Sequence, residues 1–164
     1  LAYVRRGGYE ALEEKMSIPE GAPEIGKPIF NERCGATAVG ARLPLVAYNI
    51  NLAGDDLHLA RDIARRIREK GGGLKSVRAI GVMLKSRNIA QVSMNLVNYQ
   101  ETPLKPVYDL VKHLASDHGV DILESELIGL APKGAFVGTT PEYLRLKDFD
   151  DNRLLETHIK NFSP

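Results

Sequence analysis

The chain has 164 residues, 43% of them hydrophobic and 26% charged, with a net charge of +1. That is enough for one ordinary core and too little for two large domains. The near-neutral balance lacks the clustered basic excess of nucleic-acid and membrane-surface binders, and no apolar run approaches the roughly 20 residues of a membrane span.

Cys34 is the single cysteine. An intrachain disulfide and a Cys-rich metal site are therefore excluded, and one unpaired thiol fits a reducing, cytoplasmic setting. The first residue is Leu1 rather than Met, and no signal-peptide pattern follows. This is expected of a piece that begins inside a longer protein.

Residues 1–16 read as short helical material broken at Gly7 and Gly8, with Tyr9, Leu12 and Met16 at helical spacing. Residues 17–42 mix Pro19, Pro23 and Pro28 with Gly21, Gly26, Gly35 and Gly40. This irregular stretch exceeds the ordinary connector of about 4–6 residues, and the pattern leaves both a functional loop and a linker open.

Periodic structure begins at Leu43. Residues 43–52 predict a strand with Val46, Tyr48, Ile50 and Leu52 on one face and Leu45, Ala47, Asn49 and Asn51 on the other. Asp55 or Asp56 caps a helix running to Lys70, with Leu57, Ala60, Ile63, Ala64 and Ile67 inward and Gly71 as its stop. The run Gly71–Gly73 reads as a turn. Residues 76–86 and 89–99 form two further strands joined by a turn at Arg87 and Asn88. The second of these strands alternates Ala90, Val92, Met94 and Leu96 against Gln91, Ser93 and Asn95. Thr102 is expected to cap the next helix with Pro103 in its first turn; Leu104, Val107, Val111, Leu114 and Ala115 face inward and Gly119 ends it. Residues 121–130 give a fourth strand, and a last helix is expected at 139–147 or 151–160.

The order β-α-β-β-α-β predicts an α+β, ferredoxin-like sandwich with an antiparallel or mixed sheet and helices on one face. The uncovered face then carries Asn49, Asn51, Gln91, Ser93 and Asn95. Carboxamides donate and accept hydrogen bonds without charge, and Asn is disfavoured in strands, so the cluster points to a ligand of mixed polarity such as a pterin ring or an amino acid. Glu124 and Glu126 also share a face; acid–base work is conceivable, but the commoner role of such a pair is protection of an edge strand. His58, His113, His118 and His158 show no metal-like spacing. No phosphate-binding glycine motif or nucleophile elbow is present.

Residues 35–42 (GATAVGAR) followed by 43–52 (LPLVAYNINL), with RRGGYEAL at 5–12, IAQVSMNL at 89–96 and SELIGLAP at 125–132, resemble glutamate formiminotransferases in the family's order and over nearly the whole chain. The resemblance implies two ferredoxin-like subdomains with tetrahydrofolate held in a tunnel between them and formiminoglutamate as donor. Residues 1–42 would be the tail of an N-terminal subdomain with the connecting loop, and residues 43–164 the C-terminal subdomain. The family's folate loop falls on Gly26, Lys27, Pro28, Ile29, Phe30, Asn31, Glu32, Arg33, Cys34 and Gly35. Its glycines would permit close approach, Phe30 would pack on a ring, and Lys27 and Arg33 would pair with carboxylates. Arg42, Asn49, Asn51, Gln91 and Asn95 would line the tunnel. The catalytic histidine implied by the family lies upstream of Leu1, so no residue of this chain is nominated as catalytic. A homodimer is implied, and no metal. Two other readings are a stand-alone ferredoxin-like ligand-binding module and a formyl transferase of the same family.

Overall fold

In a computed structural model, residues 2–159 are described. The chain divides between Arg42 and Leu43 into two compact units. The first holds the short helices α1 (Ala2–Arg5) and α2 (Leu12–Met16), a 3-10 turn at Pro19–Gly21 and irregular chain beyond it. Gly7 and Gly8, at φ 80° and 74°, take the left-handed conformations that break the helical run.

The second unit contains β1 (Val46–Leu52), α3 (Leu57–Ile67), β2 (Val77–Leu84), β3 (Ile89–Leu96), α4 (Leu104–Ser116), β4 (Ile122–Ile128) and α5 (Leu155–Ile159). The strands form a four-stranded sheet in the order β2-β3-β1-β4, antiparallel at each pairing. This is the ferredoxin-like arrangement expected from the sequence. Val46, Tyr48, Ile50 and Leu52 of β1 and Ala90, Val92, Met94 and Leu96 of β3 are buried on one face. They pack there with Ala60, Ile63, Ala64 and Ile67 of α3 and Leu104, Val107, Tyr108 and Val111 of α4. α3 packs closely on β2 at Gly81, where an added Cβ would meet Arg61 N at 2.4 Å and Ala60 C at 2.6 Å.

Several boundaries differ from expectation for identifiable reasons. Asp56, not Asp55, caps α3 by accepting from Leu59 N at 2.9 Å; Asp55 instead accepts from the Asn88 side chain of the β2–β3 turn. The helix stops at Ile67 rather than Lys70, because residues 69–71 tighten into a 3-10 turn. The glycine run then folds back over the helix end: a Cβ at Gly71 would fall 1.9 Å from Arg65 O. Thr102 does not cap α4. Its hydroxyl donates to Lys75 O at 2.7 Å, Pro103 occupies the cap position without a side-chain bond, and Pro106 in the first turn needs no donor of its own. Residues 139–147 are turns rather than helix. Their Leu146 bridges in parallel to Ser125 of β4, with Ser125 N donating to Arg145 O and Lys147 N to Ser125 O. The alternative placement, 151–160, resolves into a 3-10 turn at Asp151–Arg153 and the short α5; Lys160 lies outside the described residues.

The Gly81 contact yields a direct test. Gly81→Ala should lower the unfolding free energy by about 2 kcal/mol or more, because backbone rather than a flexible side chain must yield. Urea denaturation measures it, and an unchanged midpoint would show that α3 does not sit this close to β2.

Candidate functional site

The sheet face opposite the helices is built in cross-strand rows. Register aligns Arg78, Asn95, Ala47 and Ile128 in one row, Ile80, Ser93, Asn49 and Glu126 in the next, and Val82, Gln91, Asn51 and Glu124 in the third. The carboxamides expected on this face are thus brought together. Asn51 and Gln91 are 0% and 4% exposed although no helix covers them, because β1 and β3 are central strands whose neighbours close over their side chains.

The third row holds a connected polar network. Asn51 Nδ2 donates to Glu124 Oε1 and to Glu126 Oε1, each at 3.0 Å. Gln91 Nε2 donates to Asn51 Oδ1 at 2.7 Å and reaches Glu126 Oε2 at 3.5 Å. Both donors and the acceptor of Asn51 are therefore engaged. Arg87, in the β2–β3 turn, lies 2.6 Å from Glu124 and 3.5 Å from Glu126, and Lys147 approaches Glu124 at 3.9 Å. Burial pushes the Glu124 carboxyl up, but the hydrogen bonds from Arg87 and Asn51 and the charges of Arg87 and Lys147 outweigh it and hold the group below the ordinary value of 4.5.

This corrects the edge-protection reading of Glu124 and Glu126. The outer edge of β4 is occupied in part by residues 145–147, and the two carboxylates are held in the polar network of the open face. Their two-residue spacing was visible in the sequence; their pairing with Asn51 depends on register. Arg87 and Lys147, which sequence reasoning missed, come from turns with no periodic signal.

Gly26–Gly35 form an exposed segment in the first unit, with Phe30 half-buried. The Tyr9 and Phe30 rings stack with centroids 4.6 Å apart, and Tyr9 OH donates to Asn31 O. Asn31 Oδ1 accepts from Arg33 N at 3.1 Å and Cys34 N at 2.9 Å, and Gly35 N donates to Asn31 O at 3.0 Å. Asn31 thereby folds 31–35 into a compact turn from which Arg33 and Cys34 are exposed. Arg42 closes this unit. His58 and His113 lie on α3 and α4, His118 just beyond α4 and His158 on α5; none belongs to a strand. Among the described residues, no group of three or more His, Cys, Asp or Glu is placed to hold a metal, and no helix is long and apolar enough to cross a membrane.

Two predictions follow from the network's geometry. Asn51→Ala leaves Gln91 and two partly desolvated carboxylates without their shared partner and should cost about 2–3 kcal/mol, read from chemical denaturation. For Glu124 the folded pKa is depressed, so its contribution is present above the unfolded value and lost as pH falls through the folded one. Stability should therefore fall more steeply below about pH 4.5 in the wild type than in Glu124→Gln; parallel pH–stability curves would contradict this.

Comparison with known proteins bears on the whole chain. The formiminotransferase domain model matches residues 47–161. A glutamate formimidoyltransferase of Streptococcus pyogenes serotype M1 is 45% identical over 160 residues, covering 97% of this chain and 54% of that protein. One from Thermoplasma acidophilum is 39% identical over 162 residues, covering 98% and 53% respectively. A formimidoyltransferase-cyclodeaminase of Gallus gallus is 43% identical over 151 residues, or 88% of this chain and 28% of the relative. The chain spans about half the length of the first two relatives.

Proposed function

The chain belongs to the formiminotransferase-domain family, and from that premise we propose that it is the folate-facing half of a glutamate formimidoyltransferase. The enzyme would move the formimino group of N-formimino-L-glutamate to tetrahydrofolate, giving 5-formiminotetrahydrofolate and L-glutamate. The observation that carries this reading is the likeness to the Streptococcus enzyme across 97% of the chain. The open face supplies chemistry that suits it.

A pterin presents neighbouring N–H donors beside a carbonyl acceptor. Glu124 and Glu126 retain acceptor capacity beyond their bonds to Asn51 and Arg87, since a carboxylate offers about four lone-pair sites. Asn49 and Ser93 lie side by side in the adjacent row and provide groups that both donate and accept. In the reaction, N5 of tetrahydrofolate bonds to the formimino carbon, the bond from that carbon to the glutamate nitrogen breaks, and the N5 proton passes to the departing nitrogen. The histidine that relays this proton belongs, in this proposal, to the other half of the enzyme. The present chain binds and aligns the acceptor. The loop Gly26–Gly35 contributes Lys27 and Arg33 to the acidic end of a folate and the Phe30 ring to its aromatic portion. Asn95 extends the polar face of the second unit, and Arg42 is a further cation of the first. A cytoplasmic homodimer is the assembly in which we place it, a reducing setting that suits the exposed Cys34 thiol.

Titration calorimetry with tetrahydrofolate tests the proposal. The 164-residue chain should bind it, and Lys27→Ala combined with Arg33→Ala should weaken binding about tenfold. The chain alone should release no glutamate from N-formimino-L-glutamate. Absence of binding overturns the folate-facing role; turnover by the chain alone overturns the division of labour.

A further inference from the structure

Arg87 enters the polar network from outside the strands. It sits in the β2–β3 turn, whereas Glu124 and Glu126 stand on β4, with β1 lying between β3 and β4. Two strand spacings, about 10 Å, separate β3 from β4, so only a long side chain laid across the end of β1 can bridge them. Arg87 does so, with its guanidinium 2.6 Å from Glu124 Oε1 and 3.5 Å from Glu126 Oε1. Asn51 of β1 donates to the same two oxygens. The Oε1 atoms are thus committed to the protein, while the Oε2 atoms keep only longer contacts, Glu126 with Gln91 at 3.5 Å and Glu124 with Lys147 at 3.9 Å. The turn that carries Arg87 is itself fixed. Asn88 takes a left-handed φ of 50°, Arg87 N donates to Leu84 O at 3.1 Å and Ala90 N to Gly54 O at 2.8 Å. Asn88 Nδ2 donates to Asp55 Oδ2 at 3.0 Å, which ties the turn to the loop before α3.

We propose that Arg87 is a positioning residue: without touching the ligand, it holds Glu124 and Glu126 so that their free Oε2 atoms accept from the N–H donors of the bound pterin. This role rests on the function proposed above. Two carboxylates side by side repel each other, and a guanidinium bound to one oxygen of each relieves that repulsion and fixes both rotamers. It also keeps Glu124 an acceptor. Burial raises the affinity of the Glu124 carboxyl for its proton, and the Arg87 hydrogen bond is the foremost of the contacts that reverse this. The other groups facing Glu124 replace that contact poorly. Asn51 is neutral, Glu126 is a like charge, and the Lys147 ammonium lies 3.9 Å away. A protonated carboxyl would present a donor where the ligand also presents one.

The test is calorimetric titration of the whole chain with tetrahydrofolate at about pH 7.5 and about pH 5.5, in wild type, Arg87→Gln and Arg87→Lys. The ratio of wild-type to variant affinity at each pH cancels the titration of the ligand itself. Removing the guanidinium raises the Glu124 pKa, and binding needs the ionised form, so the loss must grow as pH falls. Arg87→Gln should bind about threefold more weakly than wild type at the higher pH and about tenfold or more at the lower. Arg87→Lys keeps the charge without the fork, so it should show the weaker affinity at both values with the pH dependence of the wild type. A 13C titration of the Glu124 carboxyl in the free chain checks the cause and needs no ligand: the pKa should rise in Arg87→Gln and return toward wild type in Arg87→Lys. Equal loss at both pH values, the mark of a merely structural turn residue, overturns the role, as does unchanged affinity or an unmoved Glu124 pKa. If wild type binds tetrahydrofolate and the ratio does not change with pH, this role falls and the proposed function stands. If wild type does not bind it at either pH, the function falls and this role with it.

Discussion

Asn51 sits on a strand paired along both edges, facing the side of the sheet that no helix covers, yet it is 0% exposed. A buried carboxamide is tolerable only when its donors and acceptor are engaged. Here one amide joins three strands: it accepts from Gln91 of β3 and donates to Glu124 and Glu126 of β4. Without it, two carboxylates on adjacent positions of one face would repel each other with only Arg87 and Lys147 between them and solvent. The register between β1 and β4 shifts immediately beyond Asn51, with Leu52 opposite Ile122. That leaves Leu123 exposed and sets the two glutamates beside the amide rather than on the apolar side. The polar face is therefore as specifically built as the core behind it.

The fold was legible because its information is local. Val46, Tyr48, Ile50 and Leu52 alternate with period two, and Ala60, Ile63, Ala64 and Ile67 recur at helical spacing; both sets ended in the core. The site was legible only in part. Alternation put Asn49, Asn51, Gln91 and Asn95 on one face, but which residue opposes which is a property of pairing between distant segments. Glu124 and Asn51 are 73 positions apart, so an edge-protection role for the glutamates was the reasonable expectation until register and the covering segment at 145–147 were seen. The Thr102 hydroxyl illustrates the same limit. Its local context is that of a cap, while its acceptor, the Lys75 carbonyl, lies on another loop.

The two units contribute different physics to the proposed role. The second offers a rigid sheet on which polar groups are held by backbone pairing, the precondition for aligning a reacting nitrogen. The first offers a loop shaped by its own contacts, the Tyr9–Phe30 stack and the Asn31 turn, with cationic side chains exposed. A pre-shaped loop loses less entropy on binding than a disordered one, which favours its use as a recognition element rather than a passive linker.

The central claim is that the open polar face of the sheet receives the acceptor. The most direct measurement is the side-chain carboxamide spectrum of Asn51, Gln91 and Asn49 during addition of tetrahydrofolate to the 15N-labelled chain. The account predicts saturable shifts of these N–H₂ resonances, with amides of the solvent-facing side of α3 and α4 unmoved. Saturable binding that leaves all three carboxamides unchanged would place the ligand elsewhere and contradict it.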